Sequence, residues 1–301
     1  MEDELNQEFP SEHAQLANRG TASIDKPVSH MCVAQLVHEL LERYPRADAE
    51  PWDVMGLVAG DPARTVTGIA CALDPTVEAV RTCAARGANV LLTHHPAFLD
   101  PPKCFSNERS HATASGTVVY EAIKQDVALV NIHTALDVSH DAQRVLPSML
   151  GLVQAGVVEP IENDVTKGYG QLCSVREGDK PMTLSQLASR CLSVFGRMPR
   201  VWGDSRARIE TVVTATGSAG DLPAACLSKS VSCLVCGEVK YHAALDASQG
   251  GLCLIELGHD VSELPLAGVL AHAVVDLGID SSRVFIISQD ANWYTPDATR
   301  V

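Results

Sequence analysis

Basic residues are scarce in this chain. Lysine and arginine number 23 against 37 aspartate and glutamate, giving a formal net charge of −14 and a pI near 5.1. An acidic surface repels phosphate backbones, so nucleic acid is not an expected partner. Long apolar runs are missing too: no stretch of about 18 such residues occurs, and no segment is expected to span a bilayer. The opening Met1-Glu2-Asp3-Glu4 lacks the basic and apolar regions of a signal peptide, which makes a cytoplasmic location the expectation. No glycine-rich phosphate loop of the GxxxxGKS type is present, so nucleotide binding has no independent support.

Ten cysteines are present, and in a reducing compartment they stay thiols. Cys71, Cys83, Cys226 and Cys253 sit in apolar strand or helix contexts, where cysteine acts as a small buried hydrophobe. Cys233 and Cys236 have CxxC spacing, but they lie inside Val231-Ser232-Cys233-Leu234-Val235-Cys236, which reads as a strand. No second pair completes a zinc site there.

Apolar residues make up 46% of 301, with 20% charged, enough for a sizeable core. At roughly 150 residues per domain the length suggests two units. Residues 1–29 are polar and aperiodic and read as a mobile tail. A helix over 32–43 places Val33, Leu36, Val37, Leu40 and Leu41 on one face. From Val66 the pattern alternates: strand Val66–Leu73, helix Pro75–Ala85, strand Asn89–Thr93, helix Thr117–Lys124, strand Val127–Asn131. Strand and helix signals also fill 150–207: a strand Gln171–Val175 entered from a turn at Gly168-Tyr169-Gly170, then a helix Leu184–Phe195 ended by Gly196.

The second half repeats the plan. Strands are expected at Arg208–Ala215, Cys233–Cys236, Leu252–Leu257 and Val284–Ile287, with helices at Leu222–Leu227, Tyr241–Ser248 and Val269–Leu277 between them. An offset of 143 carries Ile69 onto Val212, Cys83 onto Cys226, and Val90-Leu91-Leu92 onto Cys233-Leu234-Val235; an offset of 125 carries Leu129 onto Leu254. The expectation is an α/β fold of two similar lobes, 30–150 and 151–301, related by internal pseudo-duplication or by a shared α/β rhythm that mimics it.

Three places bring metal-type ligands to expected strand ends: Thr93-His94-His95-Pro96, His133-Thr134-Ala135-Leu136-Asp137, and Gly258-His259-Asp260-Val261-Ser262-Glu263. Adjacent side chains on a strand point opposite ways, so His94 and His95 serve one site only where Pro96 ends the strand. His259 and Glu263 share a helix face, and Pro265 confines them to the turn where that helix begins. Each signal alone is ordinary, since loop histidines and strand-end aspartates are common. Together they fall beyond the carboxyl ends of strands, where sites form in open α/β sheets. Three imidazoles and two carboxylates exceed the four ligands of a structural zinc and suit two cations about 3.5–4 Å apart. Nitrogen with hard oxygen favours Zn, Mn, Fe or Co.

These segments, with Trp52-Asp53, Gly56-Leu57, Gly60-Asp61-Pro62 and Gly237-Glu238-Val239-Lys240-Tyr241-His242, resemble the Nif-three-like family, whose bacterial members commonly carry the name GTP cyclohydrolase I type two homolog. The likeness runs from about residue 32 to 290. It implies two metal ions held by His94, His95, Asp137, His259 and Glu263, and a ring-shaped homohexamer with sites facing an internal cavity. The interval Asp137–Gly237 looks like the family's short form. One departure is Val54, where the family usually has Asn after Trp-Asp. The function expected is a metal-dependent hydrolase using activated water against a nucleotide or related small-molecule substrate; a phosphoester hydrolase and a non-catalytic metal-binding or regulatory oligomer are the alternatives. His133 and His242 are the candidate acid–base partners and Lys240 the candidate phosphate contact, against packing or solvated roles for each.

Overall fold

A computed structural model describes residues 31–107, 114–290 and 292–293. The tail expected over 1–29 lies outside the described residues. Helix α1 (Val33–Arg43) precedes strand β1 (Gly56–Ala59), and β2 (Ile69–Ala72), α2 (Val77–Ala85), β3 (Val90–Thr93), α3 (Ala114–Gln125) and β4 (Ala128–Asn131) then alternate. Short helices α4 (Thr134–Asp137), α5 (His140–Gln143) and α6 (Val145–Met149) follow. A hairpin of β5 (Leu152–Ile161) and β6 (Asp164–Val175) leads through β7 (Met182–Thr183) to α7 (Leu184–Phe195), β8 (Arg200–Trp202) and β9 (Arg208–Ile209). The second alternation is β10 (Thr211–Ser218), α8 (Leu222–Ser228), β11 (Cys233–Glu238), α9 (Tyr241–Gln249) and β12 (Cys253–Glu256); α10 (His259–Glu263), α11 (Leu266–Asp276) and β13 (Val284–Ile286) close the chain.

Two sheets result, ordered β1-β4-β3-β2-β13 and β5-β6-β10-β11-β12-β8. Each contains a parallel three-stranded unit in the same register. Ile69 pairs with Val90 and Val90 with Ala128; Val212 pairs with Cys233 and Cys233 with Cys253. These pairings follow the two sequence offsets residue for residue. An antiparallel strand flanks each unit on the same side, β1 beside β4 and β8 beside β12.

Both sheets are covered on two faces, as continuous apolar strands require. Ile69, Cys71, Val90, Leu92 and Val130 pack against α1 and α11, while Ala70, Leu91 and Leu129 pack against α2 and α3. In the second sheet Val212, Cys233, Val235 and Ile255 face α7, and Val213, Leu234, Cys236 and Leu254 face α8 and α9. A spacing of three on a strand puts Cys233 and Cys236 on opposite faces, so this pair shares no ion. No described helix is long and apolar enough to cross a membrane.

Three details depart from the sequence reading. Helix α11 and β13 belong to the first sheet: β13 runs parallel to β2, and Leu266, Leu270 and Val274 join the core beneath α1. The boundary at 150 therefore misplaces the C-terminal segment, because a strand's partner is chosen by the sheet edge it reaches and not by sequence order. The expected turn at Gly168-Tyr169-Gly170 lies inside β6. Glycine there permits close approach, since a Cβ on Gly168 would stand 2.1 Å from the carbonyl oxygen of Glu159. His259 and Glu263 occupy a one-turn helix of their own, and Pro265 caps the next.

Parallel order places the carboxyl ends of β2, β3 and β4 on one edge. The corresponding edge of β10, β11 and β12 meets it, with Thr216 reaching Asp137 across the gap at 3.3 Å.

Candidate metal centre

Four histidines from these edges face a common space. His94 and His95 follow β3, His133 follows β4, and His259 opens α10. Each has Nδ1 tied to an oxygen: His94 to the Ile132 carbonyl at 3.2 Å, His95 to Asp74 at 2.8 Å, His133 to Asp53 at 2.9 Å, His259 to Glu238 at 3.0 Å. Carbonyls and carboxylates only accept, so Nδ1 carries a proton and Nε2 is the atom turned to the shared space, a lone-pair donor once a metal displaces its proton. Metal-ligating imidazoles are held in this way.

The Nε2 atoms converge with two acids. His94 Nε2 lies 3.4 Å from Asp137 Oδ1 and 3.8 Å from Glu263 Oε1. Glu263 Oε2 lies 3.0 Å from Nε2 of both His95 and His259. Despite these approaches, His94 Nε2 and Glu263 Oε2 are buried without an aligned hydrogen-bond partner. Each such atom costs about 1–3 kcal/mol when left unsatisfied, and a cation relieves both. Two ligands about 2.1 Å from one ion, at tetrahedral or octahedral angles, stand roughly 3.0–3.4 Å apart. The observed separations fall close to that range.

Three overlapping donor sets have all their ligand atoms within 4.8 Å: His94, His95 and His133; His95, His259 and Glu263; His94, Asp137 and Glu263. Glu263 is shared by the last two. Its carboxylate sends one oxygen toward His94 and the other toward His95 and His259, the posture of a bridging ligand.

Charge within the cluster is strongly coupled. Burial alone would lower the His95 pKa, but Asp74 and Glu263 outweigh it and carry it up to about 10. Contact with Glu263 likewise raises His259 to about 9 against its partial burial. His94 is also raised, burial being outweighed by Asp137 and Glu263. Burial lifts Asp137, whereas the three histidines hold Glu263 well below the ordinary carboxylate range in spite of its burial. Asp53, buried under His133 and bonded by both the amide and hydroxyl of Thr134, is depressed to about 2.

The end of β10 seats Glu263 closely. Ser262 Oγ accepts the Gly217 amide at 2.9 Å and donates to the His259 carbonyl at 2.8 Å, joining α10 to the end of β10. Gly217 has φ +56, and a Cβ there would stand 2.1 Å from Glu263 Oε1. A cavity of about 670 Å³ opens onto the cluster, with Trp52, Leu99, Tyr169 and Leu222 among its walls.

The profile of the Duf34/NIF3 (NGG1p interacting factor 3) family matches residues 31–291. The chain belongs to this family. A GTP cyclohydrolase 1 type 2 homolog of Streptomyces coelicolor is 29% identical over 242 residues, 77% of this chain and 82% of that protein. The protein of the same name from Clostridium perfringens is 28% identical over 244 residues, 80% and 90% of the two chains. Two solved structures share the fold: Staphylococcus aureus protein SA1388 (TM-score 0.78, 23% identity, 89% of this chain and 100% of that one) and the Bacillus cereus protein related to NIF3 (0.77, 20%, 87% and 97%).

In this NIF3-family chain the five ligands expected from sequence, His94, His95, Asp137, His259 and Glu263, lie in one cluster. His133 joins them as a sixth donor. His242 and Lys240 are placed elsewhere: both are exposed at the start of α9 and neither lines the cavity. The sequence reading missed Asp74 and left Asp53 and Glu238 without a role. Asp74-Pro75 follows a strand that runs parallel to β3, so a carboxylate at that edge beside His95 was the available signal. At Val54 the backbone carbonyl accepts from Asn131 Nδ2 at 2.6 Å, and the buried Asn131 Oδ1 has no partner.

Proposed function

We propose that this chain binds two divalent ions between its lobes and is a metal-dependent hydrolase of a small molecule held in the adjoining cavity. The observation that carries the reading is Glu263, a buried carboxylate common to two donor sets, with Oε2 3.0 Å from two imidazole nitrogens and aligned with neither. His94, Asp137 and Glu263 suit one ion and His95, His259 and Glu263 the other, with His133 beside His94 and His95. Zn, Mn, Fe or Co fits this mixture of imidazole and carboxylate. Such a pair supplies Lewis-acid polarisation and lowers the pKa of water toward neutrality.

The protein's own groups do the positioning. Asp53, Asp74 and Glu238 fix the imidazole tautomers, so the donors need no reorganisation when loaded. Thr216 restrains Asp137 through Oδ1. The name shared by the relatives, GTP cyclohydrolase 1 type 2 homolog, supports a purine-type ring as the group attacked. A homohexameric ring in the cytoplasm, expected from the resemblance and the sequence, completes the reading.

The test is chelation followed by reloading with each candidate ion, assayed against ring compounds and phosphoesters. Wild type regains turnover, and Asp137→Ala stays inactive while sedimenting as the same assembly. Turnover that survives chelation, or an active Asp137→Ala protein, would refute the proposal.

A further inference from the structure

The cavity beside the donor cluster has an uneven charge. Six carboxylates line it, from Glu50, Asp74, Asp137, Glu159, Asp221 and Glu263, and among the described residues no lysine or arginine does. Glu263 is itself more than nine-tenths buried, with an oxygen lacking a hydrogen-bond partner. Two divalent ions would not cancel this charge. Glu50, Glu159 and Asp221 lie away from the donor sets and only accept hydrogen bonds. Trp52 and Leu99 bring apolar surface to the same space, being 55% and 47% exposed. The volume of about 670 Å³ is that of a drug-sized ligand pocket.

We infer that the cavity takes a phosphate-free ring compound rich in N–H donors, its flat face against Trp52, and rejects nucleoside triphosphates. This rests on the cavity being the substrate site of the hydrolase proposed above. Glu50 and Glu159 are half-buried, so an occupant that covers them without donating hydrogen bonds leaves their carboxylates desolvated and unpaired, and the wall selects donors. A triphosphate carries about four negative charges into a wall of the same sign, where partial exclusion of water strengthens the repulsion. The relatives' name specifies GTP; the residues of this chain fit the ring of such a molecule and not its phosphates.

The experiment measures binding of guanosine and GTP by calorimetry, on protein whose metal content has been determined. Guanosine is expected to bind at least tenfold more tightly than GTP. Raising salt from about 50 to about 300 mM should strengthen GTP relative to guanosine by screening the repulsion. The Glu159→Lys/Asp221→Lys variant should gain at least tenfold in GTP affinity. GTP binding as tightly as guanosine, GTP binding that weakens with salt, or no saturable guanosine binding would overturn the inference. In metal-free protein the imidazoles of His95 and His259 offset part of this charge, but Glu50, Glu159 and Asp221 remain on the wall, so the same order of ligands is expected with a smaller ratio. Reloaded protein that binds guanosine at least tenfold more tightly than GTP but turns nothing over would refute the hydrolase and uphold this ordering.

Discussion

Replacing Gly217 with alanine puts a methyl group where the Glu263 carboxylate lies. The new Cβ would stand 2.1 Å from Oε1, and real contacts do not fall below 3.0 Å, so the carboxylate must retreat by at least about 0.9 Å. Metal–ligand distances tolerate about 0.2 Å. Because Glu263 belongs to two donor sets, the shift disturbs both. The expected loss is about 10–100-fold in metal affinity, as for other supporting residues, or about 1.4–2.7 kcal/mol. The left-handed backbone at φ +56 adds about 1–2 kcal/mol of conformational cost for alanine. Competition against a fluorescent chelator reads the affinity, and thermal unfolding without metal reads the backbone cost separately. Gly178→Ala, where an added Cβ meets nothing within 4 Å, is the control and should change neither. A Gly217→Ala protein holding its metal within twofold of wild type would refute the seating of Glu263 described here.

Asp74→Asn removes the carboxylate that orients His95, and metal affinity should fall about 10–100-fold with little change in folding, read by the same competition. In metal-free protein His95 and His259 are raised to about 10 and about 9, so their stabilisation is fully present below about pH 6.5 and is lost as pH rises through 9 to 10. Urea unfolding of the chelated protein should show that decline. Metal uptake at pH 7.5 should release protons from these same rings, measured by calorimetry in buffers of different ionisation enthalpy. Glu256 is 5% exposed and accepts from Arg200 Nε at 2.7 Å, Trp202 Nε1 at 2.6 Å and the Val239 amide at 3.2 Å. Arg200→Met leaves its charge with two donors; since Arg200 is half exposed, the expected loss is about 1–2 kcal/mol in urea unfolding.

The alternating halves were legible because both parallel units are short apolar runs separated by capped helices. Thr76 and Thr183, whose hydroxyls accept from the amides of Ala79 and Gln186, mark helix starts that sequence can locate. The clustering of the five expected ligands was legible because their segments follow strand ends, where side chains from different strands meet. The placement of β13 was not, since nothing in Val284-Phe285-Ile286 says which sheet edge is vacant. The hairpin of β5 and β6 was half seen: Gly168 and Gly170 imitate a turn in sequence, while in space they relieve close contacts. His133 was read as a proton carrier because sequence cannot show that its Nε2 points into the His94–His95 pair. Lys240 and His242 drew attention through a motif, but they lie on an exposed helix start rather than at the cavity.

Six side chains from three separated segments are proposed to hold a pair of ions. Anomalous diffraction at the absorption edge of the metal found by elemental analysis tests it most directly. Two peaks are expected about 3.5–4 Å apart, one among His94, Asp137 and Glu263 and the other among His95, His259 and Glu263, both absent from a His94→Ala/Glu263→Ala crystal. Wild-type crystals grown with the metal and showing no peak between the lobes would contradict it.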